Sequence, residues 1–257
     1  MAKHMRVWNR EKYESFLNAG RGQGEGSMYF PWIVVQDFSS KGITSRVFSY
    51  KTNRVHHFLS RNELSFFYLL EWSEKVLDIR EQFPLLDVEL ATDVARSAGI
   101  RYPKDNISGF PYILTCDFMI TTECGLKART IKSTSDLRNK RTLEKLEIER
   151  QYWEALGIDW RIITENEIDF QKVKHIEWLY TAVELPEHLA DHRCRKAILE
   201  RLESTSVQQA AIWFDKQHGY PAGSGLYLIK HLMWHKKIIC EMDIGYKNNQ
   251  QLMRVCV

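Results

Sequence analysis

The sequence predicts an α/β fold for the first two thirds of the chain and a mostly helical unit for the rest. Two observations carry this. Between residues 61 and 164 helical periodicity alternates with short apolar runs, in the order helix, strand, strand, strand, helix, strand. From about Glu167 the apolar residues recur at helical spacing until a final pair of strand-like segments. With 257 residues, of which 44% are hydrophobic and 27% charged, the chain has ordinary globular composition and is long enough for two cores. The boundary falls between an α/β domain, 1–168, and a helical domain, 169–257.

The elements follow in order. A first helix spans about Trp8 to Leu17 and ends at the glycine-rich loop Gly20-Arg21-Gly22-Gln23-Gly24-Glu25-Gly26. No strand precedes this loop and no helix follows it, so it is not a dinucleotide fingerprint; it reads as a flexible loop that presents backbone amides and Arg21 to DNA. Pro31–Val35 and Arg46–Tyr50 read as short strands, separated by Ser39, Ser40 and Gly42. Ser60-Arg61-Asn62-Glu63 has the form of a capping box, and Leu64, Phe67 and Tyr68 follow at helical spacing, which predicts a helix over 61–73. Val76–Phe83 is a strand with Leu77, Ile79 and Phe83 on one face, stopped by Pro84. Residues 87–110 form an irregular excursion with one short helix.

Tyr112–Ile120 is a nearly continuous apolar run, the mark of a central strand. A turn over Thr122–Gly125 leads into a strand at Leu126–Lys132. Arg141–Ala155 is a charged amphipathic helix and Trp160–Thr164 a short strand. Beyond them come a connecting helix at Val173–Ala182 and helices at Leu189–Leu202, Ser206–Gln217 and Leu226–Trp234. Lys237–Met242 and Gln251–Val255 then make a hairpin. Three helices and a hairpin describe a winged-helix-like domain. Its bases only slightly outnumber its acids, which favours protein docking at least as much as DNA binding.

No apolar run reaches the roughly 18 to 20 residues needed to span a bilayer, and the start of the chain has no apolar leader core. The expectation is a cytoplasmic protein with no membrane partner. Its five cysteines are widely spaced and contain no CxxC pair, so neither a disulfide framework nor a zinc site is indicated. Charge is uneven along the chain: residues 1–62 carry ten Lys and Arg against four acids, and from Lys41 to Arg61 there is no acid at all. Arg21, Lys51, Arg54, His56, His57 and Arg61 are the candidate contacts to a DNA phosphate backbone, the alternative being a solvated basic face.

Asp117 demands a partner, because it interrupts an apolar strand and an unpaired buried carboxylate is costly. A turn centred between Glu123 and Cys124 sets Thr130 opposite Asp117 and brings Lys132 within reach on the same face. A one-residue slip would send Lys132 to the other face. Two readings stand at this point. In one, Asp117 and Lys132, with an acid from a nearby helix, form a phosphodiester-hydrolysis site in which carboxylates hold Mg²⁺; in the other they are a salt bridge in a structural hairpin. Glu63 is likewise open between a cap, which local evidence favours, and a site acid, and the two readings are not exclusive. Glu149 sits at the edge of the apolar face of its helix, where a surface salt bridge is the default.

The order helix-Glu, strand-Asp, strand-x-Lys resembles the PD-(D/E)xK core of restriction endonucleases. More specifically, Gly20-Arg21-Gly22-Gln23-Gly24, Lys51-Thr52-Asn53-Arg54-Val55-His56-His57, Leu77-Asp78-Ile79-Arg80-Glu81-Gln82-Phe83-Pro84-Leu85, Arg141-Thr142-Leu143-Glu144-Lys145-Leu146-Glu147 and Ile176-Glu177-Trp178-Leu179-Tyr180 are similar to segments of the TnsA family. The resemblance covers roughly residues 10 to 182. It implies a restriction-endonuclease-like catalytic domain and an endonuclease subunit of a bacterial cut-and-paste transposase. Such a subunit cuts the 5′ ends, the non-transferred strands, of the transposon. The implied partners are transposon-end DNA, a TnsB-type transposase for the 3′ ends and a TnsC-type AAA+ ATPase.

The same resemblance implies Mg²⁺, with Mn²⁺ able to substitute, held by Glu63 and Asp117, with Lys132 and Glu149 as further catalytic residues. The family places Gln two residues before the lysine; this chain has Thr130. That position of the metal shell then falls to the threonine hydroxyl, to water or to the backbone carbonyl of Ile131. Two other classes remain: a stand-alone restriction or repair nuclease, and an adaptor with a weakened site.

Overall fold

Helix α1, Arg10–Asn18, begins where the Asn9 side chain accepts a hydrogen bond from the Lys12 amide, the local contact that makes Asn a favoured N-cap. The structure, a computed structural model, describes residues 7–37, 43–239 and 254–255. The glycine loop after α1 is packed, not open. Gly22 has φ +72°, and a Cβ there would lie 2.4 Å from Cγ of Pro84. Arg21 donates to the Trp32 carbonyl at 2.9 Å and pairs with Asp37, so its guanidinium ties the loop together.

The strand expected at Pro31–Val35 does not form. Asp37 accepts from the Val34 amide at 3.0 Å and curls Val35–Asp37 into a 3₁₀ turn, while Trp32 is buried with Trp8 and Ile113. Ser39, Ser40 and Gly42 lie outside the described residues. Strand β1, Ser45–Ser49, pairs antiparallel with β2, Arg54–Phe58. Sequence reasoning missed β2 because its alternation is inverted: Arg54, His56 and Phe58 are buried while Val55 is exposed.

Helix α2, Arg61–Trp72, leads into strand β3, Val76–Pro84, and helix α3, Val88–Ser97. In β3 a register shift between Val76 and Asp78 turns Leu77 outward, against the expectation that it shares a face with Ile79. The excursion after α3 is tied by the Asp105 carboxylate, which accepts from the Trp8 and Ile107 amides at 3.2 and 2.9 Å and from the Tyr112 hydroxyl at 3.0 Å. The following strand therefore starts later than its apolar run: β4 is Thr115–Thr122. Strand β5, Gly125–Ile131, helix α4, Lys140–Ala155, and strand β6, Asp159–Ile163, complete the unit.

The sheet order is β3-β4-β5-β6, with β3, β4 and β5 antiparallel and β6 parallel to β5. Met119 and Ala128 pack with Leu85, Tyr152 and Trp153, and Phe118 packs with Phe58 and Phe66 at 6.1 and 5.6 Å between ring centroids. Fully buried Phe58, Leu85, Phe118 and Met119 each contribute about 1.5–3 kcal/mol.

The contacts of the chain separate it into two units, Met1–Ile168 and Asp169–Val257. In the second, the Asp169 side chain accepts from the Gln171 and Lys172 amides and opens helix α5, Phe170–Tyr180, three residues earlier than its apolar spacing indicated. Helices α6, His192–Leu202, α7, Val207–His218, and α8, Ser224–Trp234, follow. Ile198, Phe214, Leu228 and Ile229 form their fully buried interior. Strand β7, Ile238–Ile239, pairs antiparallel with β8, Arg254–Val255; the rest of the expected hairpin lies outside the described residues. Cys116 and Cys194 are buried and Cys124 exposed, all as free thiols. Among the described residues no helix is long and apolar enough to cross a membrane.

Candidate active site

The site is built where the first turn of α2 meets the ends of β3, β4 and β5. The Ser60 hydroxyl caps α2 by accepting from the Glu63 amide at 3.2 Å. Glu63 does not complete the reciprocal box through the Ser60 amide. Its carboxylate accepts from the Leu59 amide at 2.9 Å and from the Ser60 hydroxyl at 2.8 Å. The helix cap thus fixes the carboxylate.

The register of β4 and β5 is the one the turn dictates: Phe118 pairs with Arg129 and Thr122 with Gly125, which sets Asp117 and Thr130 on the next rung. Asp117 is buried, and one oxygen, Oδ2, accepts from the Ile131 amide at 2.6 Å and from Lys132 Nζ at 3.2 Å. Lys132 Nζ also donates to the Ile131 carbonyl at 2.9 Å. Oδ1 accepts from Gln82 Nε2 at 3.3 Å, and the same nitrogen is 3.5 Å from Glu63 Oε2. Glu63 and Asp117 therefore stand on either side of one amide.

Glu149, expected at a surface salt bridge, is buried. It accepts from the Thr130 hydroxyl and from Trp160 Nε1, the latter at 3.0 Å; Trp160 Nε1 is also 3.2 Å from Thr130 Oγ1. The Thr130 hydroxyl thus donates to Glu149 and accepts from the Trp160 ring, and so holds a neighbouring acid in place. Burial, with Asp117 nearby, raises the pKa of Glu63 to about 7. Burial, again with Asp117, raises Glu149 to about 7 against its two hydrogen bonds. For Lys132, burial acts to lower the pKa, but Asp117, Glu149 and Glu63 outweigh it, and the ammonium is held above its ordinary range.

Glu63, Thr130, Ile131, Lys132, Lys145 and Glu149 line one cleft of about 490 Å³. Lys145 was not legible as a site residue: it is an ordinary exposed helix lysine until its place on α4, one turn before Glu149, is known. Gln82 gave no signal either. Among the described residues no group of three or more His, Cys, Asp or Glu side chains stands ready around a metal position. The donors that do converge, Glu63, Asp117 and the Ile131 carbonyl, are all hard oxygens of the kind Mg²⁺ takes. A cationic group already sits between two of them, since the Lys132 ammonium donates to Asp117 Oδ2 and the Ile131 oxygen.

The expected DNA contacts divide differently. Arg54 donates to both Glu81 oxygens, at 2.9 Å to Oε1, and His56 Nδ1 lies 2.8 Å from Glu81 Oε2. With side-chain exposures of 8% and 0%, Arg54 and His56 are interior groups packed against a buried acid, away from the surface where DNA would lie. Lys51 donates to the Ser73 carbonyl at 3.1 Å, and half-buried His57 accepts from the Val35 amide at 3.3 Å. Arg61 is exposed, two residues before Glu63. Of the six expected contacts, Arg61 alone combines full exposure with proximity in sequence to the cleft.

A family profile described as TnsA-like endonuclease N terminal matches residues 73–165, and one described as TnsA endonuclease C terminal matches residues 167–242. The transposon Tn7 transposition protein TnsA of Escherichia coli is 42% identical over 184 residues. The chain belongs to the TnsA family. The alignment with the Escherichia coli TnsA covers 70% of this chain and 66% of that protein, just short of two thirds of its length. The N-terminal family profile takes in Gln82, Asp117, Thr130, Lys132 and Glu149; Glu63 lies ahead of it and is joined to the others by geometry.

Proposed function

We propose that this chain is the metal-dependent endonuclease subunit of a heteromeric transposase, hydrolysing the phosphodiester at the 5′ ends of the transposon. One observation carries the reading beyond family membership: Glu63, Asp117 and Lys132, distant in sequence, are brought together by a cap, a strand register and the Gln82 amide, with Glu63 and Lys132 lining one cleft. The mixed sheet β3-β4-β5-β6 with flanking helices supports a restriction-endonuclease-like, PD-(D/E)xK catalytic domain. The three helices α6, α7 and α8 with the β7–β8 pair support a winged-helix-like domain that docks a partner.

Glu63, Asp117 and the Ile131 carbonyl would hold Mg²⁺, for which Mn²⁺ can be exchanged in experiments. The metal supplies charge that polarises the phosphate and acidifies a water. The residues of the chain do the rest. Asp117 is held in place by the Ile131 amide, Lys132 and Gln82. Lys132 stays protonated and contributes positive charge where negative charge develops on phosphorus oxygens. Lys145, on the wall of the cleft, and Arg61 contact the DNA backbone. Thr130 and Trp160 fix Glu149 against the β5 edge of the site.

The partners in this reading are transposon-end DNA, a TnsB-type transposase for the 3′ strands and a TnsC-type ATPase, all in the bacterial cytoplasm. The test uses the full chain, end DNA and the TnsB-type partner. Cleavage is expected with Mg²⁺ or Mn²⁺ and none in EDTA. A cut that persists in EDTA overturns the metal reading, and a cut that needs no partner makes the chain a stand-alone nuclease.

A further inference from the structure

Gln82 is the one non-glycine residue with positive φ inside a strand among the described residues. Its φ is 49°; the other two, Asn53 and Lys236, lie in connections between elements. Backbone of this kind is unfavourable for a residue with a side chain and persists only where its surroundings impose it. Here the surroundings are specific. The pairs Glu81 with Phe118 and Phe83 with Cys116 bracket position 82, which puts Gln82 directly across from Asp117. Its side chain is buried, with 2% exposure.

The carboxamide is held by three groups. The Thr115 hydroxyl donates to Oε1 at 3.1 Å, which leaves Nε2 directed at Asp117 Oδ1, 3.3 Å away, and Glu63 Oε2, 3.5 Å away. A reversed amide would face its carbonyl toward two carboxylates and its NH₂ toward a donor. The strand on either side is anchored as well: the Gln82 carbonyl accepts from the Trp32 amide at 3.3 Å, and Glu81 is clamped by Arg54.

We propose that Gln82 is a positioning residue for the two metal-binding carboxylates, using its two N–H groups to fix the outer oxygens of Glu63 and Asp117 at one separation. This rests on the metal-nuclease reading above. Gln82 touches neither metal nor DNA. It sets how far apart two mutually repelling acids stand and which of their edges face the cleft, the work that outer-shell hydrogen bonds do at metal sites. A neutral amide suits this role, since a lysine there would compete with the metal and a third carboxylate would add to the repulsion.

The test is Mn²⁺ affinity of the full chain, read by electron paramagnetic resonance of free Mn²⁺, for wild type, Gln82→Met and Gln82→Gly, alongside melting temperature. Met keeps the length and the backbone strain and removes both N–H donors. Gly removes the donors and relieves the strain, so it folds even if Met does not. Outer-shell losses of this type weaken metal binding by about 10- to 100-fold, and both variants are expected to fall in that range. Variants that bind Mn²⁺ within about twofold of wild type overturn the role of Gln82 alone. A wild type that binds no Mn²⁺ overturns the metal reading and this inference with it. A Gly variant that regains wild-type affinity shows that the strain and not the amide mattered, which also overturns the proposal.

Discussion

Glu63 and Glu149 are two buried acids whose neutral forms the fold prefers, each with its pKa raised from 4.5 to about 7. Such a group contributes fully to stability below the unfolded pKa and loses that contribution as pH rises through the folded one. The window is pH 4.5 to 7, and the loss is on the order of 3 kcal/mol per group. His57 and His231, whose pKa values burial lowers, act in the opposite direction over part of that window, so the difference between variants is the useful quantity. In metal-free urea unfolding, Glu63→Gln is expected to match wild type near pH 4 and exceed it near pH 8 by about 3 kcal/mol. Equal stabilities at both pH values would contradict the burial argument. The Asp117–Lys132 contact at 3.2 Å was legible in the sequence, because a strand has period two and a short turn fixes the register. Gln82 and Glu149 were not, since a polar residue buried by a partner from a distant segment looks the same in sequence as a polar residue in water.

The same physics explains which elements were legible. Helices opened by a side-chain cap, such as α2 after Ser60 and α7 with its Ser206 and Gln209 capping box, announce themselves locally. Strand β2 did not, because its inward residues include Arg54 and His56, which are acceptable inside only through Glu81 on β3. That acid joins the β1–β2 hairpin to the sheet. Glu81→Gln leaves Arg54 buried without its countercharge and is expected to cost about 3–5 kcal/mol in urea unfolding; a loss below about 1 kcal/mol would contradict the clamp. In the helical unit, Gly225 permits close approach of α8 to α7, where a Cβ would lie 2.6 Å from the Ala211 carbonyl. Gly225→Ala is expected to destabilise that unit by about 1–3 kcal/mol through overpacking, measured by the loss of helical circular dichroism on heating. An unchanged transition would mean that the two helices separate at little cost.

At the scale of the molecule, one unit carries the cleft and the other is a helical body with its own core. The α/β class, the order of elements from α2 to β6 and the three late helices are readable from periodicity. Pro31–Val35 has the local pattern of a strand without forming one, since Asp37 curls its end and Trp32 belongs to an aromatic cluster formed with distant residues. A strong local basic surplus is also misleading, because two of its six expected DNA contacts are taken up by one interior acid. The function proposed for the molecule requires that the site of Glu63, Asp117 and Lys132 cuts the 5′ strand. Strand-labelled transposon-end DNA, incubated with Mg²⁺, the TnsB-type partner and either wild type or Asp117→Ala, measures this directly. The expected result is a 5′-strand cut that requires both proteins and disappears with Asp117→Ala while the partner's 3′ cut remains. A 5′ cut undiminished by the substitution, or no 5′ cut by wild type beside an active partner, would contradict it.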